Sequence, residues 1–348
     1  MQNKIIVHVN FAKGFRGGES QTQLLIEELS SRGYKQKLIV RKHSELANRM
    51  ESTVNLEIIK LKKPYAFHLT SIKDASILHA HETKAAQFCF FANLFYKIPY
   101  IITRRVDNPI KQNLFNKKVY ENALYTAILS QAIKKETLKV SNDINLVIVP
   151  DAYHKLASNP TEVALLQKRF SKKFIIGHIG ELDNDHKGQF YLIEAMKSIQ
   201  EKYADIHLIL LGKGKDKKNF EEQSKELNNI TFEGFVSNVA DYIECFDLFI
   251  FPSLHEGMGS SLFDVMQKHV AIGASNVGGI PDIIEHNVNG LLFPPKDSEA
   301  IFKTIEKLYL SSELRERLST NAFKNIENFS YELMADRYIE LYKSAKNV

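Results

Sequence analysis

The sequence lacks any run of eighteen or more apolar residues, and so predicts no membrane-spanning helix. It contains only two cysteines, Cys89 and Cys245, which lie in apolar stretches without the spacing of a metal site. We expect both to be buried thiols in a reducing cytosol. The apolar segment 5–9 is too short for a secretory signal. The composition is that of an ordinary globular protein, which we expect in the cytoplasm.

Short apolar segments alternate with helical patterns along the 348 residues, a length that favours two domains. Helical patterns such as 20–31 and 84–96 separate the strands. Strands are predicted at 4–10, 36–40, 54–60, 76–79, 99–103, 124–129, 145–149, 174–179, 206–211, 230–233, 247–251, 270–274 and 290–293. This alternation is typical of parallel sheets covered on both faces. We therefore expect an α/β protein with two doubly wound, Rossmann-like halves joined near 150–160, and ligands in the cleft between them at the carboxyl ends of the strands.

Positive charge is concentrated in the first half of the chain. Counting Lys and Arg against Asp and Glu, residues 1–157 carry about +11 and residues 158–348 about −6. This asymmetry favours an acidic partner, namely an anionic membrane surface or a phosphorylated acceptor. Scattered solvated lysines explain it equally well. Nucleic acid is not expected, because no nucleic-acid motif accompanies the charge.

The segment 252–295 places two carboxylates around a glycine-rich turn and a helix start. Glu256 precedes Gly-Met-Gly259, and Ser260 or Ser261 can cap the helix that contains Asp264. The amides of that first turn, up to Leu262, form an anion site. Carboxylates accept sugar hydroxyls well, so this order suits a phosphate-bearing sugar ligand. The alternative for Asp264 is a capping box with Ser261, and for Glu256 a surface loop position.

The same segment resembles the signature of the family 4 retaining glycosyltransferases. Three motifs carry the resemblance: Glu256-Gly-Met-Gly259, Gly278-Gly-Ile-Pro-Asp282 and Gly290-Leu-Leu-Phe-Pro294. In this family a second Glu stands where Asp264 lies here. The resemblance implies the GT-B fold. Its domains would be an acceptor-binding domain at 1–157, a nucleotide-sugar-binding domain at 158–328 and a final helix, 329–348, that returns to the first domain.

The resemblance also implies how the donor diphosphate is held. Gly17 and Gly18 match the family's Gly-Gly loop, and Lys187 matches the lysine that neutralises the diphosphate. A turn before a helix explains the two glycines without any ligand. Glu181, however, occupies the place of the family's arginine, so another cation is required. Four residues are available for that role: Arg16, Arg104, Arg105 and Lys213.

Further residues fall on the expected ligand side of the predicted strands. His81, in His-Ala-His81, resembles the family's His-x-His motif and is expected to contact the transferred sugar or the acceptor, although a histidine hydrogen-bonded at a strand end fits as well. Arg105 and Asp107 follow the next strand and are candidates for acceptor or phosphate contacts. The loop at Val236 matches the place where family members hold the nucleotide base through backbone groups.

The function implied is the transfer of a glycosyl unit, with retained anomeric configuration, from a nucleotide sugar to a glycan or glycolipid of the cell envelope such as lipopolysaccharide. Glu256, Lys187 and His81 are the candidate catalytic residues. Glu256 is expected to bind sugar hydroxyls, and Asp264 is expected to bind the ribose. No Asp-x-Asp near a strand end has the context of a metal site, so we expect neither a metal nor a cofactor. The nucleotide sugar is a substrate. A nucleotide-sugar epimerase and a non-catalytic GT-B scaffold remain alternatives.

Overall fold

The computed structural model describes residues 4–345, which divide into two compact units. Unit 1 contains the chain up to Ala152 and the segment from Phe329 onward; unit 2 is Tyr153–Asn328. The domain boundary expected from sequence lies at 157, and the contacts divide the chain after Ala152.

Every strand expected from the sequence is present. The strands are β1 (Ile5–Asn10), β2 (Lys35–Arg41), β3 (Leu56–Leu61), β4 (Ile77–Ala80), β5 (Tyr100–Arg104), β6 (Tyr125–Ile128), β7 (Leu146–Ile148), β8 (Phe174–Ile179), β9 (Ile206–Leu211), β10 (Ile230–Gly234), β11 (Leu248–Phe251), β12 (Ala271–Ser275) and β13 (Leu291–Phe293). The helices are α1 (Gly17–Ser31), α2 (Glu45–Arg49), α3 (Thr83–Tyr96), α4 (Leu114–Glu121), α5 (Gln131–Leu138), α6 (Pro160–Arg169), α7 (Asn184–Lys187), α8 (Gln189–Lys202), α9 (Lys217–Gln223), α10 (Val239–Ile243), α11 (Ser261–Met266), α12 (Ser298–Leu310), α13 (Ser312–Asn325) and α14 (Tyr331–Ser344).

Each unit contains one parallel sheet. The strand order is β3-β2-β1-β4-β5-β6-β7 in unit 1 and β10-β9-β8-β11-β12-β13 in unit 2. The chain order reverses between β1 and β4 in the first sheet and between β8 and β11 in the second. In doubly wound folds ligands bind beyond the carboxyl ends of the strands at this reversal. A ligand site is therefore expected in each sheet at the carboxyl ends of the two strands that flank the reversal.

Apolar side chains cover both sheets, as expected for strands buried on two faces. In unit 2, α8 and α12 pack on the sheet, where Met196 and Ile305 meet Leu208 and Ile250. In unit 1, α14 joins α1 on the sheet, and its fully buried Tyr338 and Tyr342 belong to the core. The final helix was expected over 329–348, and residues 346–348 of that range lie outside the described residues.

Three details differ from the sequence-based expectations. Helix α1 begins at Gly17, three residues before the predicted start at Ser20, so the two glycines form its first turn. Cys89 is buried, but Cys245 is only half-buried. Ser260 occupies the N-cap position of α11, yet neither it nor Ser261 provides a side-chain cap, so the capping box with Asp264 is not formed.

Among residues 4–345, no helix combines the length and apolarity needed to cross a bilayer.

Candidate functional site

The loops after β8 and β11 meet at the strand reversal of unit 2. Lys187, at the end of α7, follows β8, and Glu256 follows β11. Lys187 Nζ lies 2.5 Å from Glu256 Oε2, and both side chains are largely buried, with 22% and 16% of their surface exposed. The sequence-predicted lysine and carboxylate are thus brought together as an ion pair at the carboxyl ends of the two central strands.

Backbone hydrogen bonds join these two loops. The amides of Leu254 and His255 both donate to the carbonyl of His186, at 2.8 and 3.2 Å. Gly188 has φ +62°, and a Cβ added there would meet the Pro252 carbonyl oxygen at 2.3 Å. Only glycine permits this backbone conformation and this close approach. The position of Lys187 next to Glu256 is therefore fixed by main-chain contacts on both sides.

The glycine pair predicted from sequence fixes the other side of Glu256. Gly278 has φ +57°, and a Cβ there would lie 1.9 Å from the Glu256 carbonyl oxygen. The amide of Gly279 donates to that same oxygen at 3.0 Å. Ser253 Oγ lies 3.4 Å from Glu256 Oε2. The motifs 256–259 and 278–282 are thus adjacent in space, and the glycines hold the Glu256 backbone.

A buried histidine below this site was not anticipated from the sequence. His178, on β8, donates from Nδ1 to the Ile250 carbonyl at 3.0 Å, which leaves Nε2 to accept from Gln189 Nε2 at 3.2 Å. Gln189 Nε2 also donates to the Glu181 carbonyl at 2.8 Å. Burial lowers the pKa of His178 to about 4, and so the ring is neutral near pH 7. In the sequence, the only sign of this residue is that it is a histidine within an otherwise apolar strand.

Asp264 lies in the first turn of α11, facing a cavity of about 730 Å³. Ile179, Val239 and Asn238 are among the residues that line this cavity. Asp264 is half-buried, and burial of the carboxyl raises its pKa to about 7. The cavity falls within the usual size of small-ligand sites. Asp264 is therefore available for a ligand that enters the cavity.

The remaining predicted residues of unit 2 lie around these loops. The amide of Leu262 donates to the Gly259 carbonyl at 2.9 Å, so this amide already has a partner inside the turn. Val236 is half-buried and lies two residues after the end of β10. The side chain of Glu181 is exposed, as is that of Lys213, whose Nζ lies 5.1 Å from the centre of the Phe235 ring. The structure thus brings Lys187 and Glu256 together, and it leaves Lys213 on the surface.

In unit 1, the predicted glycines and one arginine are neighbours. Gly17 and Gly18 begin α1, and a Cβ on Gly18 would lie 3.6 Å from Arg105 Cδ. Arg105 Nε lies 3.2 Å from Asp151 Oδ1, and both side chains are about nine-tenths buried. Nη1 and Nη2 of Arg105 are buried without a partner among residues 4–345. The guanidinium therefore has two nitrogens with unused N–H donors near the start of a long helix.

The other basic candidates of unit 1 differ in their surroundings. Arg104 is buried and donates from Nη2 to the Asn108 carbonyl, so it has a structural partner. Arg16 is exposed just before α1, and Asp107 is half-buried in the loop after β5. Of the four cations proposed to replace the family arginine, Arg105 has both Nη atoms buried without a partner in the described residues, whereas Arg104 leaves only its Nε unpartnered.

Three buried histidines lie together at the strand reversal of unit 1. The β1–β4 register pairs His8 with His79. Because side chains two residues apart in a strand point to the same face, His81 lies on the same face as His79. Their nearest ring nitrogens lie within 4.8 Å of one another. His79 uses both nitrogens, towards Tyr342 Oη and Thr103 Oγ1, each at 2.6 Å. His8 likewise uses both of its ring nitrogens in hydrogen bonds to protein side chains.

Comparison with known proteins identifies the second part of the chain. Residues 166–325, which include Lys187, Glu256 and Asp264, match the family model of glycosyl transferases group 1. We refer to residues 166–325 below as the group 1 domain, after the family model that they match. The resemblance to family 4 is confirmed for this domain, and the Lys187–Glu256 pair lies inside it.

Relatives of the group 1 domain include named transferases. The chain is 25% identical over 220 residues to the capsular polysaccharide biosynthesis glycosyltransferase CapM of Staphylococcus aureus, covering 62% of this chain and 53% of CapM. It is 29% identical over 164 residues to the 2-deoxystreptamine N-acetyl-D-glucosaminyltransferase of Niallia circulans, covering 45% of this chain and 42% of that enzyme. The chain thus spans about half the length of the curated relatives it matches.

Solved structures extend the likeness beyond the group 1 domain. HepE of Anabaena, in complex with UDP-glucose, superposes with a TM-score of 0.84 at 17% identity, covering 98% of this chain and 99% of HepE. A glycosyltransferase from Rickettsia africae gives a TM-score of 0.85 at 21% identity, covering 99% of each chain. These likenesses confirm the GT-B fold, with one Rossmann-like sheet in each unit.

Proposed function

We propose that the protein transfers a sugar from a nucleotide-sugar donor to a glycan or glycolipid acceptor, with retention of anomeric configuration. The Lys187–Glu256 ion pair at the strand reversal of unit 2 supports this proposal best. It supplies one cation and one carboxylate in a partly buried position, where electrostatic interactions are stronger than in water.

The two members of the pair have complementary roles in this proposal. Lys187 Nζ would bind the diphosphate and offset the negative charge that develops as the sugar leaves. Release of Lys187 to the diphosphate would free Glu256 to accept sugar hydroxyls and to stabilise positive charge on the sugar. Asp264 would bind the ribose within the adjacent cavity. The amides of Ser260 and Ser261 would add donors for the phosphates.

Variants of the ion pair test this assignment. We expect Lys187→Ala and Glu256→Ala each to lower the transfer rate at least about a hundredfold, because each removes a charge that acts in the transition state. Lys303→Ala is the matched control, since Lys303 forms an exposed pair with Glu299 on α12. The measurement is steady-state transfer with the donor that gives the largest thermal shift. Near-normal rates in both alanine variants would contradict the site.

Calorimetry with nucleoside diphosphates separates the two other classes. A non-catalytic scaffold predicts no binding of any nucleotide. An epimerase predicts turnover and free nucleotide in the absence of an acceptor. The proposed transferase predicts binding, with sugar turnover that requires an added acceptor. The anomeric configuration of the product, read by NMR, tests retention, and an unchanged rate after chelation with EDTA tests the proposed independence of metals.

We also propose that this transferase acts in the cytoplasm at an anionic membrane surface, where a cell-envelope lipid acceptor such as a lipopolysaccharide precursor is found. The basic charge of residues 1–157 supports this, together with Phe67 and Leu114, whose side chains are 80% and 79% exposed. We expect co-sedimentation with phosphatidylglycerol vesicles but not with phosphatidylcholine vesicles. The double variant Phe67→Ser, Leu114→Ser should weaken co-sedimentation with the phosphatidylglycerol vesicles. Equal binding to both kinds of vesicle would contradict the proposal.

A further inference from the structure

A second cavity lies within unit 1, between the 3₁₀ segment Tyr65–Ile72 and helix α3. Its volume is about 420 Å³, within the usual size of small-ligand sites. Apolar side chains form most of its wall, among them Leu69, Phe88 and Phe91. All the residues that line it belong to unit 1, so the cavity is complete within one compact unit.

Aromatic packing holds the wall of this cavity in place. The ring of Tyr65 stacks on that of Phe11, with ring centres 3.9 Å apart and an angle of 8° between the planes. Phe11 in turn meets Phe88 edge-on, with ring centres 5.6 Å apart. Phe11, Leu69 and Phe88 are buried members of the unit 1 core. The cavity is therefore preformed, and its wall suits a hydrocarbon chain.

Two lysines stand at the rim of the cavity. Lys63 and Lys84 both line it, and both are exposed. Neither side chain forms an ion pair with an acid in the described part of the chain. Glu82 lies near Lys84, but its two carboxylate oxygens accept hydrogen bonds from the amides of Lys84 and Ala85, at 2.7 Å each. The rim therefore offers two ammonium groups to an anionic ligand.

Exposed apolar side chains continue from the cavity onto the surface. Phe67, which is 80% exposed, directly follows the lining residue Ala66. The ring centre of Phe115 lies 5.9 Å from that of Phe91, and the adjacent Leu114 is 79% exposed. Phe67 and Leu114 are the side chains proposed above to meet the membrane. The cavity thus borders the surface from which a lipid chain would enter.

The cavity also lies on the side of the unit 1 sheet where ligands bind. Lys63 follows β3, Phe11 follows β1 and Lys84 follows β4, each shortly after the carboxyl end of its strand. Ligands of doubly wound folds bind beyond these ends. A substrate held in the cavity is therefore on the side expected for an acceptor.

We propose that this cavity binds one acyl chain of an anionic lipid acceptor, with the lipid phosphate held by Lys63 and Lys84. The identity of the ligand as an acceptor rests on the proposed function. An amphiphile uses both parts of the cavity, because its chain is buried against the aromatic wall and its phosphate accepts hydrogen bonds from the ammonium groups. An uncharged chain leaves the lysines unused, and a polar glycan leaves the apolar wall unused.

A series of alkyl phosphates tests the two halves of the ligand. Calorimetry of the full chain with hexyl, octyl and decyl phosphate, each below its micelle concentration, should show binding about fourfold tighter for each added methylene. Octyl glucoside, which has the same chain without the charge, should bind at least about tenfold more weakly than octyl phosphate, and inorganic phosphate should not bind measurably. Affinity that is independent of chain length, or equal for octyl glucoside and octyl phosphate, overturns the proposal.

A substitution at the mouth of the cavity locates the chain. Ala66 is exposed, so Ala66→Trp adds an indole at the opening without entering the core. We expect it to weaken octyl phosphate binding at least about tenfold. The matched control is Ala164→Trp on α6, also at an exposed alanine, which should leave binding unchanged. Unchanged binding in Ala66→Trp places the chain elsewhere and overturns the proposal.

The double variant Lys63→Ala, Lys84→Ala tests the phosphate contact. Because both side chains are exposed, their removal should leave the melting temperature nearly unchanged. We expect octyl phosphate to bind about tenfold more weakly and octyl glucoside to bind as before. Lys303→Ala is the control for loss of an exposed lysine. An equal effect on both ligands, or no effect on either, overturns the role of the lysines.

The outcomes separate this proposal from the transferase assignment. Alkyl phosphate binding is measured without a sugar donor, and so does not depend on transfer. If the protein transfers sugar to a lipid acceptor and Ala66→Trp leaves the acceptor KM unchanged, the cavity assignment fails while the transferase assignment stands. If the alkyl phosphates bind as expected but no acceptor supports transfer, the proposed function fails, and with it the identification of the bound lipid as an acceptor.

Discussion

At the scale of single residues, Asp264 gives a pH-dependent prediction. Burial raises the pKa of its carboxyl from 3.8 to about 7, so the folded state binds this proton more tightly than the unfolded state does. Stability contributed by the protonated form is therefore lost as pH rises through about 7. In the unchanged protein this loss lowers the free energy of unfolding by roughly 2–3 kcal/mol between pH 5 and pH 8. We expect Asp264→Asn to remove it.

Urea unfolding at both pH values, with and without the substitution, measures this effect. The exposed Asp185 on α7 lies outside the cavity, but it pairs with Lys215, so Asp143→Asn is the cleaner control. An identical pH dependence in Asp264→Asn and in the unchanged protein would show that the carboxyl is not perturbed by its surroundings.

Residue types alone indicated part of the candidate site. Lys187, Glu256 and the glycines at 278 and 279 were selected by motif, and the structure places them together. His8 was not selected, because its partner His81 lies 73 positions away and only the β1–β4 register brings them into contact. His178 was missed for the same reason. Partners separated this far along a chain leave no local pattern.

At the scale of elements, the strands were predictable because each is a short apolar run that the parallel sheet buries on both faces. The start of α1 was not, since Gly17 and Gly18 have low helix propensity and were assigned to the preceding loop. In the structure Arg16 precedes the helix with its amide donating to Glu19 Oε2 at 3.0 Å. This hydrogen bond marks the helix start directly before the two glycines.

Helix α14 provides a prediction at this scale. Its Tyr342 is fully buried, and its hydroxyl lies 2.6 Å from His79 Nδ1 on β4. We expect Tyr342→Phe to lower the free energy of unfolding by about 1–2 kcal/mol, because a buried polar atom of His79 loses its partner. Chemical denaturation measures the change. Tyr96→Phe, at a half-buried position, should be nearly neutral, and an equal loss in both variants would argue against the specific contact.

At the scale of the whole molecule, the two units have separate cores and separate candidate residues. If nucleotide binding depends on the group 1 domain, UDP should slow hydrogen exchange in the loops after β8 and β11. We expect Lys187→Ala to abolish this protection and Lys303→Ala to retain it. Mass spectrometry of peptides from the full chain provides the measurement. Protection that persists unchanged in Lys187→Ala would place the diphosphate elsewhere.

The contact between Gly278 and the Glu256 carbonyl also limits how this protein can be redesigned. If the loop that contains Glu256 were replaced by the equivalent loop of another transferase, the turn at 278–279 would have to be replaced with it. Otherwise a side chain at 278 would collide with the grafted backbone. The two segments are 22 positions apart in the sequence but form one transferable unit. Libraries that aim to change donor preference should therefore keep Gly278 and Gly279 together with the loop at 256, and should place their variation among the residues lining the cavity at Asp264.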